Sequence, residues 1–195
     1  MKSSDELKVF HYGYRKKAPI ILIHGFPYDH TMWKNQIQSL QADYHIVTFD
    51  IRGLGESLTS DYHLTMEDLV DDLFTIIKKN KLEKPILCGL SMGGYIAFRA
   101  VERDEDKFKA LIILDSKTEA DNNVARLKRA NGINKIKREG LDKYLKETMP
   151  LTYAKSTLEN SPKLFNKFLD KAKTFDAKGV TAALFAMLSR TNTTR

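Results

Sequence analysis

Apolar residues along this chain fall into two alternating patterns. Short continuous runs at residues 18–23, 45–49, 85–88 and 110–114 predict strands, the first of them covered on both faces. Between them, residues 31–40 carry Met32, Trp33, Ile37 and Leu40 at helical spacing. Met66, Leu69, Val70, Leu73, Ile76 and Ile77 form a clearer amphipathic stripe, which Thr65 opens with Asp68 placed to complete a capping box. A weaker alternation over residues 7–15 predicts a short strand or hairpin leading into the sheet. Strands thus alternate with helices as far as residue 119. This predicts an α/β fold with a doubly wound, mostly parallel sheet and right-handed crossovers.

From Ala120 onward the alternation stops. Residues 121–138, 141–149, 162–173 and 177–190 all carry helical patterns, punctuated by Gly132, Gly140, Pro150 and Pro162. So long a helical run exceeds one crossover connection, so it predicts a lid laid over the carboxyl edge of the sheet rather than helical padding. The organisation read from the sequence is a core over residues 1–119, a helical cap over 120–176 and a helix over 177–195 returning toward the core.

The chemistry centres on Gly89-Leu90-Ser91-Met92-Gly93-Gly94, between an apolar strand and a helical segment. Glycines two residues before and after the serine suit a turn in which strand and helix backbones approach too closely for a Cβ. Ser91 would present its hydroxyl above the sheet. The backbone N–H of Met92 would face whatever binds beside it, at a helix end that favours negative charge. A plain Gly/Ser turn is the bland alternative; the strand–turn–helix context favours an acyl-transfer nucleophile.

Composition narrows the classes. The chain of 195 residues is 42% hydrophobic, enough for one domain with a real core. Its one cysteine, Cys88, lies in the elbow strand and reads as a buried structural thiol, consistent with a reducing, cytoplasmic setting. The N-terminal residues Met1-Lys2-Ser3-Ser4-Asp5-Glu6 carry no hydrophobic signal core, and no apolar run nears a membrane span. The net charge of +7 comes from residues 120–195, with 16 Lys+Arg against 7 Asp+Glu. Those charges interleave with apolar residues as on solvated helix faces, and no nucleic-acid motif accompanies them, so a nucleic-acid partner is not expected. No metal or cofactor motif is present either.

Three motifs together carry a resemblance: His24-Gly25-Phe26-Pro27, Asp50-Ile51-Arg52-Gly53-Leu54-Gly55-Glu56-Ser57, and the Ser91 elbow, each following a strand. With Asp115-Ser116-Lys117-Thr118-Glu119-Ala120-Asp121 after the fourth long strand, the chain resembles the lactonase and esterase branch of the α/β-hydrolase superfamily, similar to 3-oxoadipate enol-lactonase. The resemblance implies that Ser91 attacks the carbonyl of a small carboxylic ester or lactone, with the oxyanion held by the N–H groups of Phe26 and Met92. It implies that His24 and Gly25 shape the oxyanion loop beside the substrate. Trp33, Met92 and cap residues would line an apolar acyl pocket, with core packing the alternative for Trp33. Asp50 and Arg52 are expected to organise their own loop.

One part of the pattern is missing. The fold takes its triad in the order Ser, then Asp or Glu, then His, yet His11, His24, His30, His45 and His63 all precede Ser91. Asp115 sits where some relatives place the acid, but an acid without an imidazole activates nothing. The expectation is therefore a C-terminally truncated hydrolase, inactive alone, whose open sheet edge favours self-association or pairing with a complementary chain. The alternatives are a non-catalytic binding protein on the same scaffold, or perhydrolase or proline iminopeptidase chemistry. Dehalogenation needs a carboxylate at position 91 and is disfavoured.

Overall fold

A computed structural model describes residues 7–194; the polar stretch Met1–Glu6 lies outside the described residues. Five strands form one sheet: β1 (Val9–Tyr12), β2 (Pro19–Ile23), β3 (His45–Phe49), β4 (Ile86–Leu90) and β5 (Ala110–Leu114). Their order is β1-β3-β2-β4-β5, parallel except for β1, which runs antiparallel on the edge beside β3. Helices α1 (Lys34–Leu40), α2 (Met66–Lys79) and α3 (Met92–Arg103) connect the strands. The capping box at Thr65 and Asp68 is present, each side chain bonded to the other's backbone N–H. Such a cap contributes about 1 kcal/mol to helix stability.

Side chains on the two sheet faces build two cores. Ile21, Ile23, Val47, Phe49 and Leu87 pack against α2 and α3 in the larger one, while Ile20, Leu22, Ile46 and Cys88 pack with Trp33 and Ile37 beneath α1. Burial pushes the Cys88 thiol up to about 11, so it remains a neutral packing group.

The chain after β5 is helical, as α4 (Asn123–Glu139), α5 (Leu141–Thr148), α6 (Lys155–Asn160), α7 (Pro162–Lys173) and α8 (Ala177–Leu188). Gly132 does not interrupt a helix as its residue type suggests. It sits buried within α4, where a Cβ would stand 3.0 Å from the Tyr144 ring, so the glycine lets α4 and α5 pack closely. The short α6 leaves no trace in the hydrophobic pattern, because a six-residue polar segment carries no apolar stripe. Among the described residues no helix is long and apolar enough to cross a membrane.

Strand β5 is the far edge. Leu111 and Ile113 face the larger core, whereas Ala110, Ile112 and Leu114 point to the other face, with Ile112 44% and Leu114 38% exposed. The register sets them beside Ile86, Cys88 and Leu90, so the smaller core continues into an uncovered apolar row.

Candidate active site

Ser91 stands at the apex between β4 and α3 with φ +50° and ψ −110°. A left-handed φ is costly for a residue with a Cβ and persists only where surrounding bonds over-determine it. Here the Ser91 N–H donates to the Leu114 carbonyl at 3.0 Å. The Ser91 carbonyl accepts from the N–H groups of Gly94 and Tyr95 at 3.0 and 3.2 Å and from Ser116 Oγ at 2.8 Å. The flanking glycines meet the sequence expectation. A Cβ on Gly89 would stand 2.4 Å from the Gly93 carbonyl oxygen, and one on Gly93 2.2 Å from that of Ile23. Ser116 lies in the stretch after the fourth long strand, to which the sequence assigns no role at the elbow. It fills the space that a Gly94 side chain would need, 2.5 Å from that Cβ position.

The loop after β2 reaches the same place. Gly25 lies against the elbow, where a Cβ would come 2.7 Å from Leu90 Cδ2 and 3.5 Å from Ser91 Cβ. His24 is fully buried. Its Nδ1–H donates to the Gly25 carbonyl and its Nε2 accepts from the Ile51 N–H, each at 2.9 Å. That pair of bonds fixes one neutral tautomer, and burial lowers the pKa. His24 therefore ties the β2 and β3 loops together from behind the site. The N–H of Phe26 has no acceptor among the described residues, and the Met92 N–H is one of the unpaired amino-terminal donors of α3.

A cavity of about 460 Å³ opens over Ser91. Phe26, Pro27 and Tyr95 form the floor with the serine, while Arg129, Tyr144 and Met187 are among the wall residues from α4, α5 and α8. The helical segment thus covers the carboxyl ends of the strands, where open α/β sheets bind ligands. These wall residues are not individually legible in the sequence, because helical periodicity marks a buried face without saying what it faces. A larger, more open groove of about 1030 Å³ between α2 and the end of α3 is lined by charged residues such as Asp71, Lys78 and Arg103 and lies away from Ser91.

Two expected wall residues are elsewhere. Trp33 is 2% exposed in the smaller core beneath the sheet, so it is a packing residue and not part of the cavity. The Met92 side chain is fully buried in the larger core, because the first turn of α3 faces inward there. Asp50 and Arg52 do organise their loop. The buried Asp50 carboxylate accepts from the His30 N–H at 2.8 Å, His30 Nδ1 at 2.7 Å and the Glu56 N–H at 2.8 Å. Burial raises its pKa, but these donors outweigh that and hold it below the ordinary value. Arg52 pairs with Asp72 on α2.

Among the described residues no histidine lines the cavity. His11 and His45 face each other at 2.9 Å and His11 bonds Asn80, His30 is held by Asp50, and His63 lies beside Phe185. The Ser91 hydroxyl has no hydrogen-bond partner among the described residues.

A sheet of this order with a serine elbow under a helical segment is the architecture of an α/β hydrolase. The family model of the alpha/beta hydrolase fold matches residues 18–186, and the chain belongs to that family. It is 36% identical over 83 residues to 3-oxoadipate enol-lactonase 1 of Acinetobacter baylyi, a stretch covering 42% of this chain and 31% of the lactonase. A putative non-heme chloroperoxidase of Synechocystis is 32% identical over 93 residues, covering 47% of this chain and 34% of that protein. The matched stretches thus span about a third of these relatives. Among solved structures, a thermophilic esterase from Thermogutta terrifontis superposes with a TM-score of 0.89 at 33% identity, covering 95% of this chain and 68% of the esterase. The enol-lactonase from Burkholderia xenovorans shares the fold with a TM-score of 0.90 at 21% identity, covering 97% of this chain and 73% of the lactonase.

Proposed function

We propose that this chain carries the nucleophile elbow and oxyanion loop of a serine hydrolase acting on small carboxylic esters or lactones. The observation that supports this best is the left-handed Ser91, braced on both backbone groups and opening into the 460 Å³ cavity. Ser91 Oγ attacks the ester carbonyl carbon and forms an acyl-enzyme, and the alkoxide departs with a proton. The tetrahedral oxyanion is held by the N–H groups of Phe26 and Met92; one such donor contributes on the order of 3 kcal/mol to lowering the barrier. Gly25 brings the loop to the serine, and His24 acts through the backbone it holds. Residues 120–176 serve as the cap, and the helix from 177 returns to the core. Among the described residues no histidine reaches Ser91 to take its proton, so the isolated 195-residue chain is inactive on this reading.

The esterase and lactonase relatives support the substrate class. The lack of an imidazole at Ser91 among the described residues favours a second reading, a binding protein that uses the same cavity without turnover. The chloroperoxidase relative keeps perhydrolysis on this scaffold as a variant of the first. The uncovered row on β5 is an association surface for another chain, and the buried, neutral thiol suits a cytoplasmic protein.

Mapping a fluorophosphonate adduct by mass spectrometry tests the assignment. In the presence of imidazole the adduct is expected on Ser91 and is lost in Ser91→Ala. An adduct on another residue, or none at any imidazole concentration, would overturn it.

A further inference from the structure

Both chain crossings between the sheet and the helical segment meet at one carboxylate. Asp121, just before α4, is 3% exposed at its side chain and engages two guanidinium groups. Arg190, just after α8, donates from Nη2 and Nε to Asp121 Oδ1 at 2.9 and 3.2 Å. Arg129, on the cavity wall of α4, pairs with Asp121 Oδ2 through Nε and donates to Met187 Sδ on α8 at 2.9 Å. The remaining surface of Arg190 is also occupied. Its Nη1 donates to the Lys117 carbonyl at 3.4 Å, and its guanidinium carbon lies 4.0 Å from the Tyr95 ring centroid. Tyr95 lies in the first turn of the elbow helix and lines the cavity.

We propose that Asp121 and Arg190 form a latch: positioning residues that clamp the two ends of the helical segment together and hold α4 and α8 over Ser91. Contact between them closes a segment 69 residues long. Without the latch, only the Thr118 contacts with Thr193 and Thr194 would join the two crossings by hydrogen bonds among the described residues. One buried guanidinium, of Arg190, and one part-buried, of Arg129, share one carboxylate, so neutralising Asp121 leaves both without a counter-charge. The cap then separates from the core while the sheet persists, because β2, β3 and β4 contribute nothing to the node. Arg129 and Met187 would move with it and widen the cavity.

The latch rests on reading residues 120–176 as a cap over the serine, but its test does not require Ser91 to react. Amide hydrogen exchange followed by mass spectrometry would be measured on the full chain, on Asp121→Asn and on Arg190→Lys, which keeps the charge but loses the fork and the ring stacking. Asp121→Asn is expected to exchange about tenfold faster in α4 and α8 while β2, β3 and β4 stay within about twofold. Arg190→Lys should fall between it and the parent, and a Ser91→Ala background should give the same pattern. Unchanged exchange in α4 and α8, or equal loss of protection in sheet and helices, would overturn the latch. If Asp121→Asn does not fold, parent-like exchange of Arg190→Lys would overturn it on its own.

Discussion

Gly53 and Gly179 touch backbone to backbone: a Cβ on Gly179 would stand 1.8 Å from the Gly53 carbonyl oxygen, and one on Gly53 2.7 Å from Gly179 Cα. This contact sets the first turn of α8 on the loop after β3. Alanine at Gly179 has the better helix propensity by about 1 kcal/mol. The overlap is with backbone that cannot rotate away, and such overpacking costs about 1–3 kcal/mol or more. The clash wins. Gly179→Ala should lower the urea midpoint by the equivalent of about 2 kcal/mol, and an unchanged midpoint would refute the close approach.

Gly140 has the strain without the crowding. Its φ is +89°, yet a Cβ at that position would meet nothing within 4 Å. With ψ +161° it sits in a region open essentially to glycine alone, so Gly140→Ala should cost about 2 kcal/mol from backbone conformation alone. A near-neutral variant would contradict the backbone conformation at the α4–α5 junction.

Asp50 holds three donors in a fully buried site against Gly55, where a Cβ would collide with the carboxylate. Asp50→Ala strands the His30 ring and two backbone N–H groups. A loss of about 3 kcal/mol is expected in equilibrium unfolding. A near-neutral variant would contradict the role of loop organiser.

Stability should fall as pH drops below neutrality. His11, His24 and His45 all have pKa values lowered from 6.5, each mainly by burial, so the folded state binds fewer protons than the unfolded chain in that range. Their contribution is fully present above about pH 6.5 and declines as pH falls through the lowered values. Urea midpoints at pH 7.5 and 5.5 check the sign, with the lower midpoint expected at pH 5.5. His24→Gln, which removes one of the three, should flatten the slope.

Much of the site is legible in the sequence because its signals are local. The strand, glycine spacing and helix around Ser91 lie within a dozen residues, and the capping box at Thr65 needs only its own turn. Trp33 escapes for a different reason: its spacing marks a buried helix face, and which side of the sheet that face meets depends on the crossover. Gly132 looks like a break, yet its use is set by Tyr144 on another helix. Ser116 braces the elbow from beyond β5, and Arg190 meets Asp121 across the whole helical segment, so neither pairing leaves a periodic trace.

The uncovered row on β5 carries its own test. Ile112→Lys places a charge on the exposed face, where it should reduce concentration-dependent association in analytical ultracentrifugation while leaving the urea midpoint nearly unchanged. A parent chain that stays monomeric across the accessible concentration range would remove the association surface.

Ser91 is, on this account, a built nucleophile without a base among the described residues. The rate of fluorophosphonate labelling, measured with and without added imidazole beside Ser91→Ala, tests it most directly. Slow labelling of the parent chain, a rise with imidazole, and none in the variant are expected. Fast labelling without imidazole that disappears in Ser91→Ala would contradict it, because a base within the chain would then reach the serine.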